Sequence, residues 1–458
     1  MVPWIVAIAL FMQNLDVTIL NSAIPVIAQD LNQYPLNLKF ALTSYLVSLG
    51  VLIPISGWLS DKYGAKGVLM LGVTIFGLGS LLCGSSFSLE HLVISRIIQG
   101  AGGALMVPVC RLILIKTYPK SQLVSATNQA TIPSLIGPVL GPSLGGFIVT
   151  WFSWRWIFFI NIPFCFILLY LASHYVENFK EEKVGKFDII GFILFAAFLS
   201  LTIFLIETIS TSFLSNIISI ILLTLSFILL GLYFYFTKKI KEPFLDKKLF
   251  AIRTFTITIL GSFFSRIGIG GIPFLLPMLL QINRGFSPIK SGLYIIFYAG
   301  AMLVAKFFIK GILQKIGFRK CLIFNTILLG ISISGLLFIV YNSNIWVMAT
   351  VIFWHGFFTS IQFSCLNVLT YSDLTEDLVS KGTSIGSAIQ QLSMSFGVAF
   401  TVILLKLSKS PDALSTHISY NITLSTLTIF ILFTAFTFTA LDRNAGVKAS
   451  NNKLLAIH

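Results

Sequence analysis

Apolar segments of about 20 residues recur along the whole chain and are separated by short polar turns. A helix of this length spans the roughly 30 Å of hydrocarbon in a bilayer, so each segment is long enough to cross a membrane. With 56% hydrophobic and only 10% charged residues, the chain carries more apolar surface than a water-soluble fold can bury. The sequence therefore predicts an all-α integral membrane protein.

Fourteen such segments can be placed, with ends that follow the polar turns. They are 4–26, 38–58, 67–88, 90–114, 127–150, 156–175, 187–207, 214–237, 254–281, 289–312, 320–341, 344–371, 380–405 and 418–441.

The net charge of +15 raises the question of a nucleic-acid partner, but the placement of the charges answers it. Most loop lysines and arginines fall on one side of the predicted spans, for example in "KKIKEPFLDKK". Such asymmetry is typical of cytoplasmic loops, so we expect both termini in the cytoplasm and the protein in the cell inner membrane. Nucleic-acid binding is not expected, and lipid is the expected surrounding.

The spans divide most naturally into six, two and six, because the polar connections "YVENFKEEKVGKFD" and "TKKIKEPFLDKKLFAIR" flank the middle pair. A weak repeat supports this division, since "GWLSDKYGAK" and "GILQKIGFRK" both end in Lys-x-Gly-x-basic. Duplicated six-helix halves around a central site are an architecture of secondary transporters. The predicted regions are an N-terminal bundle at 1–178, two extra spans with their linkers at 179–253, a C-terminal bundle at 254–441 and a cytoplasmic tail at 442–458.

The stretch "GWLSDKYGAK" is the first candidate for a mechanical role. Its glycine allows close helix approach, its aspartate can pair with a basic residue or a helix N-terminus, and its lysines suit the cytoplasmic face. We predict a conformational latch; the alternative is a tight turn with lysines that only set topology. The residues concerned are Gly57, Asp61, Lys62, Gly64 and Lys66.

The fourth span contains "RIIQGAGGALMVPVCR", which begins at Arg96 and ends at Arg111. Arg96, Gln99, Gly100 and Gly103 fall at i, i+3, i+4 and i+7, so they share one helix face that another helix can approach closely. The alternative for each arginine is that its side chain snorkels to the membrane interface.

The fifth span contains "GPVLGPSLGG". Proline removes a backbone donor and bends a helix, while glycines four residues apart admit a close neighbour, so this span can act as a gate. The gate residues are Gly137, Pro138, Gly141, Pro142, Gly145 and Gly146. The following "WRWIFFINIP" is interpreted mainly as an interface anchor.

Together, "LDVTILNSAIP", "GWLSDKYGAK", "RIIQGAGGA", "GPVLGPSLGG" and "WRWIFFINIP" resemble the serial motifs of the major facilitator superfamily, specifically its fourteen-span drug:proton antiporters of the EmrB/QacA type. The resemblance implies two six-helix bundles with pseudo-twofold symmetry, two additional helices, and export driven by the proton gradient. It places Asp16 and Arg96 at proton-coupling positions and Asp61 at the latch acid. Ala65 and Gln314 depart from the family pattern, so the latch is expected to be weak or one-sided.

Asp16 lies in the otherwise apolar "FMQNLDVTIL", where a charged side chain costs roughly 2.5 to 3.5 kcal/mol at the bilayer centre. Because burial disfavours the charged form of a carboxylate, we expect Asp16 to bind and release protons. The alternative is a buried aspartate that is hydrogen-bonded only for structure.

The substrate is less constrained. Arg266 is about midway along the ninth span, where snorkelling is hardest, so it should face a cavity and suit an organic anion such as citrate or a metal-carboxylate chelate. In the alternative, Asp16 or another partner neutralises Arg266 and leaves an apolar pocket for drugs. The candidate substrate-binding residues are Gln13, Asn21, Arg111, Arg266 and Gln362.

Other function classes fit less well. No P-loop or metal-ligand spacing is present, so neither an enzyme, ATP, a metal nor a cofactor is expected, and the proton motive force is the predicted energy source. A proton-coupled importer is the nearest rival, and a channel or sensor is more distant. The sequence does not specify a protein partner.

Overall fold

A computed structural model describes residues 1–182, 184–185, 187–209, 216–238, 240, 246–286, 288–341, 344–407 and 414–450. These residues form helices joined by short turns. The helices are α1 (Val2–Asp30), α2 (Lys39–Leu52), α3 (Ser56–Tyr63), α4 (Ala65–Gly84), α5 (Leu89–Thr117), α6 (Leu123–Ser134), α7 (Ile136–Trp151), α8 (Trp156–Phe159), α9 (Asn161–Tyr175), α10 (Ile189–Ile209), α11 (Asn216–Thr237), α12 (Lys247–Ala251), α13 (Arg253–Gly270), α14 (Ile272–Met278), α15 (Pro288–Tyr341), α16 (Ile345–Ser372), α17 (Glu376–Leu407), α18 (Leu414–Thr439) and α19 (Val447–Ser450). Short 3-10 turns cover Pro35–Leu38, Ile53–Ile55 and Lys120–Gln122, and a π-helical turn covers Leu279–Asn283.

Within the described residues, 11 helices are long and apolar enough to cross a membrane. One of them, Leu293–Tyr341, has 49 residues and contains parts of two predicted spans. The shorter apolar helix Ile189–Leu205 coincides with a further predicted span. The all-helical membrane architecture is thus confirmed, and the predicted count of fourteen is roughly consistent with these helices.

The predicted span 127–150 is interrupted at one residue, Leu135, which divides it into α6 and α7. Pro138 has no N–H group to donate to the carbonyl of Ser134, which lies four residues earlier. That carbonyl instead accepts a hydrogen bond from Asn14 Nδ2 of α1 at 3.3 Å. The Ser134 carbonyl that the proline leaves without a donor is therefore hydrogen-bonded by a neighbouring helix.

The two copies of the Lys-x-Gly-x-basic repeat share an uncommon backbone conformation. Gly64 has φ 91° and ψ 138°, and Gly317 has φ 73° and ψ 171°. Gly317 interrupts the long helix α15 between its two predicted spans. Positive φ favours glycine, so the same residue type serves the same turn in both copies, as an internal repeat requires.

The chain forms two compact units. Unit 1 contains residues 1–119, 129–247 and 375–388, and unit 2 contains residues 120–128, 248–374 and 389–458. In unit 1, a buried cluster joins Leu15, Ile19 and Ala23 of α1 to Ile157 and Phe158. In unit 2, α14, α15, α16 and α18 supply a second cluster.

Candidate functional site

A buried ion pair lies inside unit 1. Arg96 Nη1 of α5 is 2.6 Å from Asp16 Oδ2 of α1, and neither side chain is exposed. The guanidinium also donates from Nε to the carbonyl oxygen of Ala41 at 3.3 Å. Arg96 therefore does not snorkel to the interface, and Asp16 pairs with Arg96 rather than with Arg266.

The other carboxylate oxygen of Asp16 is also occupied. Oδ1 accepts hydrogen bonds from Gln99 Nε2 at 2.8 Å and from Asn161 Nδ2 at 3.0 Å. Gln99 additionally accepts from Arg96 Nη1 at 2.5 Å and donates to Ser80 Oγ at 2.7 Å. Four helices, α1, α4, α5 and α9, thus contribute side chains to one network, which we call the Asp16 network: Asp16, Ser80, Arg96, Gln99 and Asn161.

Small residues on neighbouring helices make this convergence possible. A Cβ at Gly79 of α4 would lie 2.5 Å from the backbone of Gln99, and one at Gly100 would lie 2.7 Å from the carbonyl oxygen of Tyr45. The Tyr45 ring then packs against the Arg96 guanidinium, whose central carbon is 4.2 Å from the ring centroid. The predicted glycine-bearing face of α5 is the face that meets α2 and α4.

Several buried polar atoms around the Asp16 network have no hydrogen-bond partner among the described residues. They are Arg96 Nη2, Asn161 Oδ1, the Tyr45 hydroxyl and Gln13 Oε1. Loss of either charge of the pair would leave the other buried and uncompensated, a costly state. Unpaired donors and acceptors therefore lie close to the buried pair.

The predicted latch residue Gly57 contacts the beginning of α17, within unit 1. Its carbonyl oxygen accepts a hydrogen bond from Ser380 Oγ at 2.8 Å, and the hydroxyls of Ser56 and Ser384 are 3.0 Å apart. A Cβ at Gly57 would lie 2.7 Å from the Ser380 carbonyl oxygen. Only a glycine lets these two backbones approach so closely.

The turn that follows Gly57 is covered by the segment after α9, residues 176–182 and 184–185, which we call the linker strap. Ala65 N donates to the carbonyl of Phe179 at 2.9 Å, and Glu181 N donates to the carbonyl of Asp61 at 3.0 Å. Lys116 at the end of α5 forms an ion pair with Glu181 at 3.0 Å. The predicted latch turn is therefore held by backbone hydrogen bonds from the linker.

The latch lysines, Lys62 and Lys66, also contact neighbouring parts of unit 1. The Lys62 ammonium lies 4.6 Å from the centroid of the Trp58 ring, and Trp58 Nε1 donates to the carbonyl of Gly185 at 3.1 Å. Lys66 Nζ donates to the carbonyl of Ser173 at 2.5 Å. These lysines therefore make contacts beyond setting topology.

The predicted gate helix α7 packs along α1. A Cβ at Gly137 would lie 3.1 Å from the backbone of Leu15, and a Cβ at Gly141 would overlap the Thr18 side chain. A Cβ at Gly146 would have nothing within 4 Å, and Gly145 is buried. The side chains of Pro138 and Pro142 lie outside the part of the chain that the structure describes.

A second polar cluster surrounds Arg266 in unit 2. Its guanidinium donates to Ser262 Oγ at 3.0 Å and to Asn367 Oδ1 at 3.2 Å, and its central carbon lies 4.4 Å from the centroid of the Phe363 ring. Gln390 Nε2 donates to the same Asn367 oxygen at 3.3 Å. Arg266 is only 4% exposed, so this cation is held among amide and hydroxyl groups inside the unit.

The other predicted substrate residues are dispersed. Gln362 donates to Ser265 Oγ at 3.2 Å and to Thr326 Oγ1 at 3.0 Å, and it directly precedes Phe363 of the Arg266 cluster. Arg111 donates to Ser387 Oγ at 3.1 Å within unit 1. Gln13 lies beside Gly103 in unit 1. The side chain of Asn21 is outside the described part of the chain.

The sequence analysis missed three members of this site. Asn161 was assigned to an anchoring motif, and Ser80 and Tyr45 were not singled out at all. The one available signal was Asn161 itself, an amide between apolar residues in "FFINIP".

Comparisons with known proteins bear on the family and the fold. The model of the "Major Facilitator Superfamily" matches residues 6–398. "Putative multidrug resistance protein MdtD" of Escherichia fergusonii is 36% identical over 458 residues, which cover 98% of this chain and 97% of that protein. The protein of the same name from Pectobacterium carotovorum is 36% identical over 439 residues, covering 95% and 94%.

Two solved structures share the fold at low sequence identity. The human organic anion transporter MFSD10 (TETRAN) has a TM-score of 0.69 and 13% identity, with 95% of this chain and 98% of that chain covered. The proton:xylose symporter XylE bound to 6-bromo-6-deoxy-D-glucose has a TM-score of 0.66 and 15% identity, with 94% of each chain covered. Motifs, fold and relatives agree, and the chain belongs to the major facilitator superfamily, as a multi-pass membrane transporter of small molecules.

Proposed function

We propose that this transporter is a proton-coupled exporter, which moves a small organic molecule out of the cytoplasm by alternating access in the inner membrane. Both termini are cytoplasmic in this proposal. The observation that carries it is the buried pair between Asp16 and Arg96, because a sealed carboxylate is a group whose protonation must change its surroundings. The multidrug resistance name of the relatives supports the export direction.

Asp16 and Arg96 perform the coupling in this proposal. In one state the carboxylate accepts hydrogen bonds from Arg96, Gln99 and Asn161, and the network is closed. A proton that enters from outside neutralises Asp16, and Arg96 then needs other partners. Breaking a buried pair costs about 3 to 5 kcal/mol, enough to shift a population between two conformations by more than a hundredfold.

The test uses inside-out vesicles that are acidified inside by respiration. Addition of a substrate to the medium should release protons from the lumen, which a pH-sensitive dye reports. Asp16→Asn should abolish this release. Asp30→Asn is the matched control in the same helix, since Asp30 is half exposed and pairs with Arg155 at the surface at 2.8 Å.

Two results would count against this proposal. Proton release that is unchanged in Asp16→Asn would remove Asp16 from the coupling. Substrate that leaves the lumen together with protons would indicate symport and make the chain an importer.

A second candidate concerns the substrate, and the Arg266 cluster favours it. A buried guanidinium flanked by the amides of Asn367 and Gln390 has the donors that bind a carboxylate, so organic anions such as citrate are candidate substrates. Proton release should then follow citrate and not ethidium. Arg266→Lys should keep part of this response if charge alone is required, and Arg266→Ala should lose it. Proton release with ethidium alone, unchanged in both Arg266 variants, would contradict the anion proposal and indicate efflux of cationic drugs.

A further inference from the structure

A cavity of about 470 Å³ lies in unit 1, and no member of the Asp16 network lines it. Its walls come from the length of α2, which is the first half of the span Phe40–Tyr63, from the first half of α5 and from the last turns of α10. They include Phe40, Val47, Val51, Val93, Ile97 and Phe204. Since α2 begins on the side of the membrane where α1 ends, the cavity lies in the membrane half opposite to the N-terminus. We call it the α2–α5–α10 groove.

The lining of the groove is apolar although serines contribute to it. Ser48 Oγ donates to the carbonyl of Ile97 at 2.7 Å, and Ser44 Oγ donates to the carbonyl of Ala41 at 3.2 Å. Both hydroxyl groups therefore donate to backbone carbonyls of the protein and not into the groove. A buried water needs two to four polar partners, so the groove is a poor site for water.

The groove opens toward the surrounding membrane. Phe40 and Ile97 line it and are 37% and 46% exposed, and they belong to segments that cross the bilayer. Protein interiors are close-packed, and a gap forfeits the dispersion contacts of its lining. Hydrocarbon chains are the material that the bilayer supplies at this depth.

We propose that the α2–α5–α10 groove binds one alkyl chain of a phospholipid from the leaflet opposite to the N-terminus. This gives α10 of the middle pair a role, since it closes the third wall with Phe204. The side chain of Ile203 seats α10 on α2, because a Cβ at Gly50 would lie 2.5 Å from Ile203 Cδ1.

The bound chain is one residue layer from the ion pair. Ile97 in the groove wall follows Arg96, and Tyr45 of α2 packs its ring against the Arg96 guanidinium between two groove-lining positions, Ser44 and Ser48. The alkyl chain therefore lies against the contact between α2 and α5 that encloses Arg96.

Labelling with a photoactivatable phospholipid, which carries a diazirine in its alkyl chain, tests this in proteoliposomes of the full-length protein. Mass spectrometry should find the label on groove residues of α2 and α10 several-fold more often than on the lipid-exposed helix α11. Val47→Trp should reduce groove labelling several-fold by filling the cavity. Leu78→Trp, at an exposed position of α4, is the matched control and should leave groove labelling unchanged.

Three outcomes would overturn the proposal: groove labelling no higher than on α11, groove labelling that persists in a folded Val47→Trp variant, or crosslinks from the groove to a second copy of the chain. Val51→Phe is the second filling variant if Val47→Trp does not fold. The proposal does not depend on proton coupling, so it stands or falls separately from the proposed export function.

Discussion

Asn161 donates a hydrogen bond from Nδ2 to Oδ1 of Asp16 at 3.0 Å, across 145 residues of sequence. The amide ties the start of α9 to the only carboxylate of the Asp16 network. Hydrogen bonds to charged groups contribute about 1.5 to 3 kcal/mol. We therefore expect Asn161→Ala to lower the melting temperature of the detergent-solubilised protein and to slow proton-coupled transport several-fold.

Asn37→Ala is the control for this change, because it removes an amide that bonds Gln33 at 3.2 Å in the turn before α2. Equal melting temperatures and equal transport rates for the two variants would mean that Asn161 does not support Asp16.

Variants of the Asp16–Arg96 ion pair can distinguish its effect on stability from its effect on transport. Asp16→Asn and Arg96→Gln each leave one buried partner uncompensated, and each should destabilise the fold by about 3 to 5 kcal/mol. The double variant leaves no buried charge in the pair and should be more stable than either single variant. Thermal unfolding measures this difference. All three variants should fail to transport, and additive destabilisation in the double variant would contradict the pairing.

The close approach at Gly57 predicts a sharp difference between two glycines. A Cβ at Gly57 would press on Ser380, whereas a Cβ at Gly67 has nothing within 4 Å. Gly57→Ala should cut the transport rate by about tenfold or more, since the added methyl group overpacks a backbone contact and typically costs 1–3 kcal/mol. Gly67→Ala should transport at the wild-type rate. Equal transport rates for the two variants would show that the contact between Gly57 and Ser380 is not required for transport.

The packing of α7 on α1 makes a similar prediction for stability. Gly141→Ala should lower the melting temperature because its methyl group would overlap Thr18 and separate the helices. Gly146→Ala, with open space around the added methyl group, should be neutral or slightly stabilising. Differential scanning fluorimetry on both variants checks this, and a loss confined to Gly146→Ala would show that α7 packs on a different neighbour.

Much of this fold could be predicted from the sequence, because backbone groups in a bilayer must be hydrogen-bonded within the protein. Long apolar helices meet this requirement, and they are recognised by their length. The prolines of the fifth span predicted a bend but not the helix break at Leu135, since a proline inside a membrane helix can bend it or end it. Which of these happens depends on a neighbour, here Asn14, that satisfies the freed carbonyl.

The candidate site was predictable only in part. Arg96 and Gln99 share a face by helical periodicity, and Asp16 was conspicuous as a charge in an apolar run. Their meeting with Asn161 depends on how α1, α5 and α9 pack, which no local pattern specifies. Asn161 was hidden because the aromatic residues around it are typical of a membrane interface.

The linker strap shows that the middle helix pair is not a detachable insertion. In this segment the Phe179 carbonyl accepts a hydrogen bond from Ala65 N, and Glu181 N donates one to the carbonyl of Asp61. Excision of α10 and α11 would therefore have to cut after Gly185, whose carbonyl accepts a hydrogen bond from Trp58 Nε1. A cut directly after α9 would remove the hydrogen-bond partners of the latch turn. The boundary for such a deletion therefore lies inside the connection between α9 and α10, and not at the end of α9.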